Sequence, residues 1–314
     1  MSDANDTDQT VVITVTAAAT TNYNAKSVDV TVTVKKNTRT LSFTSPTNTT
    51  LAYKNTATVT ATASGSGGTA GSITYASGTP ANVSISGTTI TAEKSSGTSV
   101  ITATMARTTT VAQATKTITI TTSKATPVLT LNPTSGNVTV NADTSVTATT
   151  KSGSPSSAAG KITMTTIDGI TYTAGNNANV TATTGGANTT LKIKPTKVAV
   201  GSKTITVTFT PTDTTNFNTA TATYTIGTVN KGTQTMTATA KSGAYAYTQV
   251  EKAFTDLITT SNVLESAGIS YAIKTDNTTG ANSSMTSNNT KLKAGTMSDA
   301  NDTDQTVVIT VTAA

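Results

Sequence analysis

The chain has 314 residues, 35% hydrophobic, 11% charged and 4% aromatic, with a formal net charge of +6. Cys, His and Trp are absent, which excludes disulfides, thiolate chemistry, Ser-His or Cys-His nucleophiles and the usual zinc, copper and haem ligand sets. Thr alone supplies 84 residues, far above the usage of an ordinary globular enzyme.

Residues 1–18, MSDANDTDQTVVITVTAA, recur unchanged as residues 297–314. Such an identity does not arise by chance. It reads as one period of 296 residues, plus an overlap, of a longer periodic polypeptide, with an appended segment as the alternative. The acidic, polar opening holds no signal peptide, and under the periodic reading one would lie upstream. Asp3, Asn5, Asp6 and Asp8 form the densest acidic cluster and recur as Asp299, Asn301, Asp302 and Asp304. Oxygen ligands at alternating spacing suit calcium, although the Gly and final Glu of an EF-hand loop are missing. A solvated loop between strands is the plain alternative; no other cofactor is expected.

Further along, alternation with period two dominates, as in 28–34 (VDVTVTV), 116–121 (KTITIT) and 203–209 (KTITVTF). One face is Val/Ile and the other Thr, the pattern of strands with one buried and one wet face. Turn clusters such as 64–68 (SGSGG), 152–155 (SGSP) and Gly185-Gly186 separate the runs. Short strands between turn signals predict β-sandwiches rather than βαβ units. Each unit ends in a Thr-rich strand and a Lys, at Lys36, Lys124 and Lys231. The spacings are 88 and 107 residues, and 101 through the repeat, each near the ~100 residues of one immunoglobulin-like sandwich. In the longer middle unit, Asp168-Gly169 between alternating runs predicts an added hairpin. In the third, 250–258 (VEKAFTDLI) is ambiguous; position favours a second strand, with a helical turn near Ser261–Ser266.

The units resemble the bacterial immunoglobulin-like (BIG-type) domains found in tandem on surface adhesins, stalks and virion fibres. The resemblance is carried by the unit ends, 20–25 (TTNYNA) and 214–219 (TTNFNT), with 109–112 (TTVA) in the same place. It is also carried by 71–75 (GSITY) with 268–271 (GISY), and by 88–94 (TTITAEK) followed by Gly97. The aromatic or Val is read as a plug at the sandwich end, with Asn capping the turn. The resemblance implies an all-β chain of tandem immunoglobulin-like β-sandwiches in a linear, filament-like array. On that frame residues 1–36 are the last strands of a unit, 37–124 and 125–231 are whole domains, and 232–314 lacks its final strand. The equivalent of 19–36 from the next repeat or copy would complete it, so the expected partners are neighbouring copies or repeats, head to tail; the overlap weighs against donation between separate copies, because 1–18 and 297–314 would compete for one strand slot.

Lys is scattered and Arg occurs only at 39 and 107, so no nucleic-acid partner is expected. Weak attraction to anionic cell-envelope polymers, or to host glycan, is the alternative to a plain Lys-dotted surface. No apolar run approaches the ~18 residues of a membrane span. About ten Asn-x-Ser/Thr sequons, among them Asn48, Asn82, Asn137, Asn179, Asn188, Asn277, Asn282 and Asn288, are about as many as composition alone supplies. The resemblance also raises Lys–Asn isopeptide cross-links, for which Glu93 and Asp29 are the strand-borne acids. Scattered acids and the lack of a GxxxxGK[ST] loop give no active site. The expected role is therefore non-enzymatic and extracellular: a structural stalk or filament that spaces a functional tip from a cell or virion surface. The alternatives are an adhesin binding glycan or host protein through the loop 174–187 and the pair Tyr245 and Tyr247, or a bacteriophage virion fibre.

Overall fold

A computed structural model describes residues 6–241, 251–263, 268–276, 283–293, 295 and 306–313. Strand accounts for 60% of the described residues and helix for 1%, so the fold is all-β. β-Branched Thr, Val and Ile in alternation suit a pleated, half-buried surface, which is why these segments are extended. The chain divides into two compact bodies, Met1–Lys231 and Gly232–Ala314.

The first body opens with a two-stranded antiparallel sheet, β1 (Gln9–Ala17) and β2 (Lys26–Val34), in which every residue is exposed. Next comes a complete sandwich, built from β3 (Thr40–Ser45), β4 (Thr50–Ala52), β5 (Thr56–Thr58), β6 (Thr60–Ser64), β7 (Ile73–Ser77), β8 (Val83–Ser86), β9 (Thr89–Ala92), β10 (Gly97–Met105) and β11 (Ala114–Ser123). One layer has the order β4-β11-β10-β7; the other holds β3-β6 and β5-β9-β8. β5 and β6 are one strand interrupted at the fully buried Val59. Between the layers lie Val59, Val83, Ile90, Ile101 and Ile120, and beside them Leu41, Ala103, Met105 and Val111. Each such aliphatic side chain contributes about 1.5–3 kcal/mol by leaving water.

The second sandwich runs through β12 (Val128–Asn132), β13 (Ser135–Thr139), β14 (Thr144–Lys151), β15 (Ala158–Met164), β16 (Ile170–Ala174), β17 (Ala178–Ala182), β18 (Ala187–Pro195), β19 (Thr204–Pro211) and β20 (Ala220–Asn230). Its layers are β12-β14-β18-β16 and β13-β20-β19-β15-β17. Phe209, Tyr224, Ile162, Ile193 and Ile205 fill its core. In both sandwiches the first strand changes layer. β3 and β12 pair antiparallel in one sheet, while β4 and β13 pair parallel with the last strand, β11 or β20, in the other.

The runs flanking Asp168-Gly169 do not form a hairpin. β15 has β19 and β17 on its two edges, so no edge remains for β16, which pairs with β18 in the opposite layer. The turn, with Gly169 at φ +80°, instead carries the chain across the sandwich between the buried Ile167 and Ile170. The added element is the single edge strand β17. It also replaces much of the expected loop 174–187, because Ala178, Val180 and Ala182 alternate inward against β15.

The second body contains β21 (Thr237–Ala240), β22 (Lys252–Ala253), the helical turn α1 (Phe254–Leu257), β23 (Ile258–Ser261), β24 (Ile269–Asp276), β25 (Ser284–Thr286), β26 (Lys291–Lys293) and β27 (Val307–Ala313). Its sheets are β21-β23, β22-β26-β25 and β24-β27. The segment 250–258 is thus not a continuous strand; Val250 lies outside the described residues. The interruption repeats the one at Val59: the strand pairs with one neighbour before it and another after it. Here four residues coil so that Phe254 turns inward and stacks on Tyr271, with ring centroids 4.3 Å apart. Ser261 ends β23, and 264–266 lie outside the described residues.

Candidate functional site: corners and joints

The TTNFN segment builds a corner that is also a joint. Asp213 accepts hydrogen bonds from the Thr215 and Asn216 amides at 3.2 and 3.1 Å and from Asn216 Nδ2 at 2.8 Å. The Asn216 side-chain bond, with the backbone bonds and the nearby Lys124 charge, holds the Asp213 carboxyl below its ordinary range. The turn so fixed drives Phe217 inward to 4% exposure. Ala125, the residue after Lys124, then pairs with it: the Ala125 amide donates to Asn216 O at 3.0 Å, and the Asn218 amide donates to Ala125 O at 2.9 Å.

The preceding sandwich closes on the same point. Tyr53 meets the Phe217 ring edge-on at 5.6 Å and 85°. Ser154 Oγ donates to Tyr53 O at 2.8 Å, the buried Ser95 Oγ donates to Thr215 O at 2.7 Å, and Lys124 Nζ donates to Thr214 O at 2.6 Å. These bonds cross between sandwiches and leave little linker free to bend. A groove of about 310 Å³ beside the joint is lined by Tyr53, Ser156, Asp213 and Phe217. The one acid there spends its oxygens on the turn.

The same corner recurs one unit earlier. The Asn37 amide donates to Thr110 O, and the Ala112 amide donates to Asn37 O, both at 2.9 Å, around the fully buried Val111. Asp6 lies against this corner. It accepts from the Gln113 amide at 3.1 Å and pairs with Lys36 at 3.6 Å and Arg107 at 3.9 Å. Asp8 pairs with Lys35 at 3.1 Å. Two of the four expected calcium ligands therefore face cations. Asp3, Asn5 and the cluster 299–304 lie outside the described residues, and among the described residues no three acidic side chains gather.

Of the other residues that the sequence marks as candidates, Glu93 bonds the Lys54 ammonium and accepts from Ser84 Oγ at 2.6 Å. These bonds lower its pKa and, through the shared one, raise that of Lys54. Asp29 accepts from Thr14 Oγ1 at 2.7 Å. Asn82, Asn137 and Asn188 use their side-chain amides in hydrogen bonds, to Thr98 O, Thr228 N and Thr149 Oγ1. Asn277, Asn282, Tyr245 and Tyr247 lie outside the described residues. Tyr53 is not singled out by sequence: it is a lone aromatic between short strands, and nothing near it names Phe217 as its partner.

Two layers, a first strand shared between them and a parallel pairing with the last strand define the chain's class: tandem immunoglobulin-like sandwiches. No protein-family model matches the chain, and no curated protein does. Among solved structures, the chain is similar to domains 4 and 5 of the S-layer protein SbsC, at 18% identity over 62% of this chain and 96% of that one, with a TM-score of 0.29. The structure of SbsC domains 1–6 aligns at 15% identity over 97% of this chain, which spans 42% of that one, with a TM-score of 0.29. Extracellular cadherin domains 3–6 of protocadherin gamma B2 align at 11% identity over 98% and 80% of the two chains, with a TM-score of 0.28. The fold assignment rests on the strand topology itself. No helix among the described residues is long and apolar enough to cross a membrane.

Proposed function

We propose that the chain is a non-enzymatic structural module of an extracellular surface protein. In this reading it is a stalk segment of BIG-type sandwiches that spaces a functional tip from a cell or virion surface. One observation carries the reading: the joint at Ala125, where backbone pairing, the Tyr53–Phe217 contact and the Ser95, Ser154 and Lys124 bonds all run from one sandwich to the next. A spacer needs such stiffness, whereas a free linker would favour independently moving binding domains. The Thr-rich outer faces supply solubility with little charge, so many similar units can coexist in series.

The absence of Cys permits a direct test. Thr98→Cys and Thr181→Cys place one spin label on each side of the joint. A single narrow distance distribution by pulsed electron resonance is expected in the full chain. A broad distribution would overturn the spacer reading, and a glycan array bound by the folded chain would favour the adhesin instead.

A further inference from the structure

We propose that the β1–β2 hairpin of one copy of this chain completes the 232–314 sandwich of a second copy, with β1 taking the place of the identical β27. The inference rests on the structural-module reading, whose spin-label test at the Ala125 joint is independent of any association between copies.

The hairpin is built like the last two strands of the complete sandwich. β1–β2 and β10–β11 each pair nine residues antiparallel, and each spans an eight-residue connection. A constant offset places Ile13 on Ile101, Val32 on Ile120 and Tyr23 on Val111. The corner turn is the same: the Thr20 amide donates to Tyr23 O and the Thr108 amide to Val111 O, both at 2.9 Å. Burial alone differs. Ile101, Ile120 and Val111 are 0–1% exposed, whereas Ile13, Val32 and Tyr23 are 49%, 42% and 78% exposed. Among the described residues, no second layer packs on the Val/Ile face of the hairpin.

The opposite half occurs at the other end. β27 repeats the sequence of 11–17 and pairs with β24. Ala313, Val311 and Ile309 face Ile269, Tyr271 and Ile273, just as Met105, Ala103 and Ile101 of β10 face Ile73, Tyr75 and Ser77. Among the described residues, the other edge of β27 carries no strand. One heptapeptide is therefore seen twice, once with each of the two neighbours that β10 holds together, and in both of β10's registers. Superposed, they give β24–β1–β2 as the counterpart of β7–β10–β11.

The identity of the segments decides which one occupies the shared slot. β1 arrives already paired to β2 without irregularity, whereas the β24–β27 register shifts between Ile273 and Thr275. The exchange returns the same side chains to the same partners on β24. It also covers Val30, Val32 and Val34, whose counterparts Ile118, Ile120 and Thr122 are half-buried or buried in the complete sandwich.

The chain has no Trp, so Tyr23→Trp supplies a single reporter. The expected result is an emission shift to shorter wavelength as concentration rises, in step with mass by light scattering. In that background Ile13→Lys and Val32→Lys abolish both changes, while Thr31→Lys on the opposite face of β2 leaves them intact. Ile309→Lys, the same substitution in the second copy of the segment, leaves association unchanged or strengthens it. Circular dichroism confirms that each variant keeps its sheet content. Solvent-exposed emission at every concentration overturns the proposal. So does loss of association in Ile309→Lys, retention in Ile13→Lys, or a concentration-independent shift without growth in mass, which would seat the hairpin on its own chain.

Discussion

Phe217→Ala tests whether the joint couples two sandwiches or merely fills one of them. Phe217 is nearly fully buried, so its truncation is expected to cost the 125–231 sandwich about 3–5 kcal/mol from lost burial and the cavity left behind. Part of that comes from across the joint, since an edge-to-face ring pair adds about 0.5–1.5 kcal/mol beyond area. A double-mutant cycle with Tyr53→Ala isolates this part, because the Ser154 bond to the Tyr53 carbonyl survives in the variant. The assay is urea unfolding followed by circular dichroism, read on the 125–231 transition if the sandwiches unfold separately. A coupling of about 0.5–1.5 kcal/mol is expected. Phe217→Val should cost less than Phe217→Ala, because Val111 plugs the corresponding corner. Additivity of the two alanine variants to within about 0.3 kcal/mol would show that the sandwiches ignore each other at this contact, and would refute a stiff joint.

Other perturbations separate further causes. The Glu93 pKa lies below its ordinary 4.5 in the folded chain, so its bonds to Lys54 and Ser84 stabilise above that pH. That contribution disappears as pH falls through the folded value, and Glu93→Gln should flatten the acid side of the thermal midpoint for the 37–124 sandwich. The Tyr224 hydroxyl is buried without a hydrogen-bond partner among the described residues, and burial raises its pKa. Tyr224→Phe should be neutral or stabilising by up to about 1–2 kcal/mol in urea unfolding. Gly136→Ala should destabilise, since its methyl would lie 2.8 Å from that hydroxyl, and Tyr224→Phe should relieve the effect. With Asp6 paired to Lys36 and Arg107, excess calcium or EDTA should leave the thermal midpoint unchanged; a rise with calcium would restore the metal reading of the 3–8 cluster.

What sequence alone could determine here is what depends on a residue and its near neighbours. The Val/Thr alternation sets one wet and one dry face for each strand because successive side chains point to opposite sides of the backbone. The Asn-aromatic-Asn corner is likewise local, its turn closed by a side chain four residues before the plug. The match of Tyr75 with Tyr271 is legible in the local runs 71–75 (GSITY) and 268–271 (GISY), and the structure sets the two against equivalent strand positions, Ala103 and Val311.

Pairing was not legible, because a strand edge accepts any extended neighbour and the choice depends on which edges are already taken. Asp168-Gly169 has the chemistry of a hairpin turn, yet β15 was occupied on both edges, so the chain crossed to the other layer. Phe254 has the spacing of either a strand or a helix, and the Tyr271 ring decided for a single turn. Asp6 reads from sequence as one of an acidic cluster, and only the tertiary structure places Lys36 and Arg107 beside it. The two identical ends differ most of all: the same heptapeptide pairs with β2 in one place and β24 in the other. Identical sequence specifies identical faces and hydrogen-bonding groups, and only the strands within reach decide which edge is used.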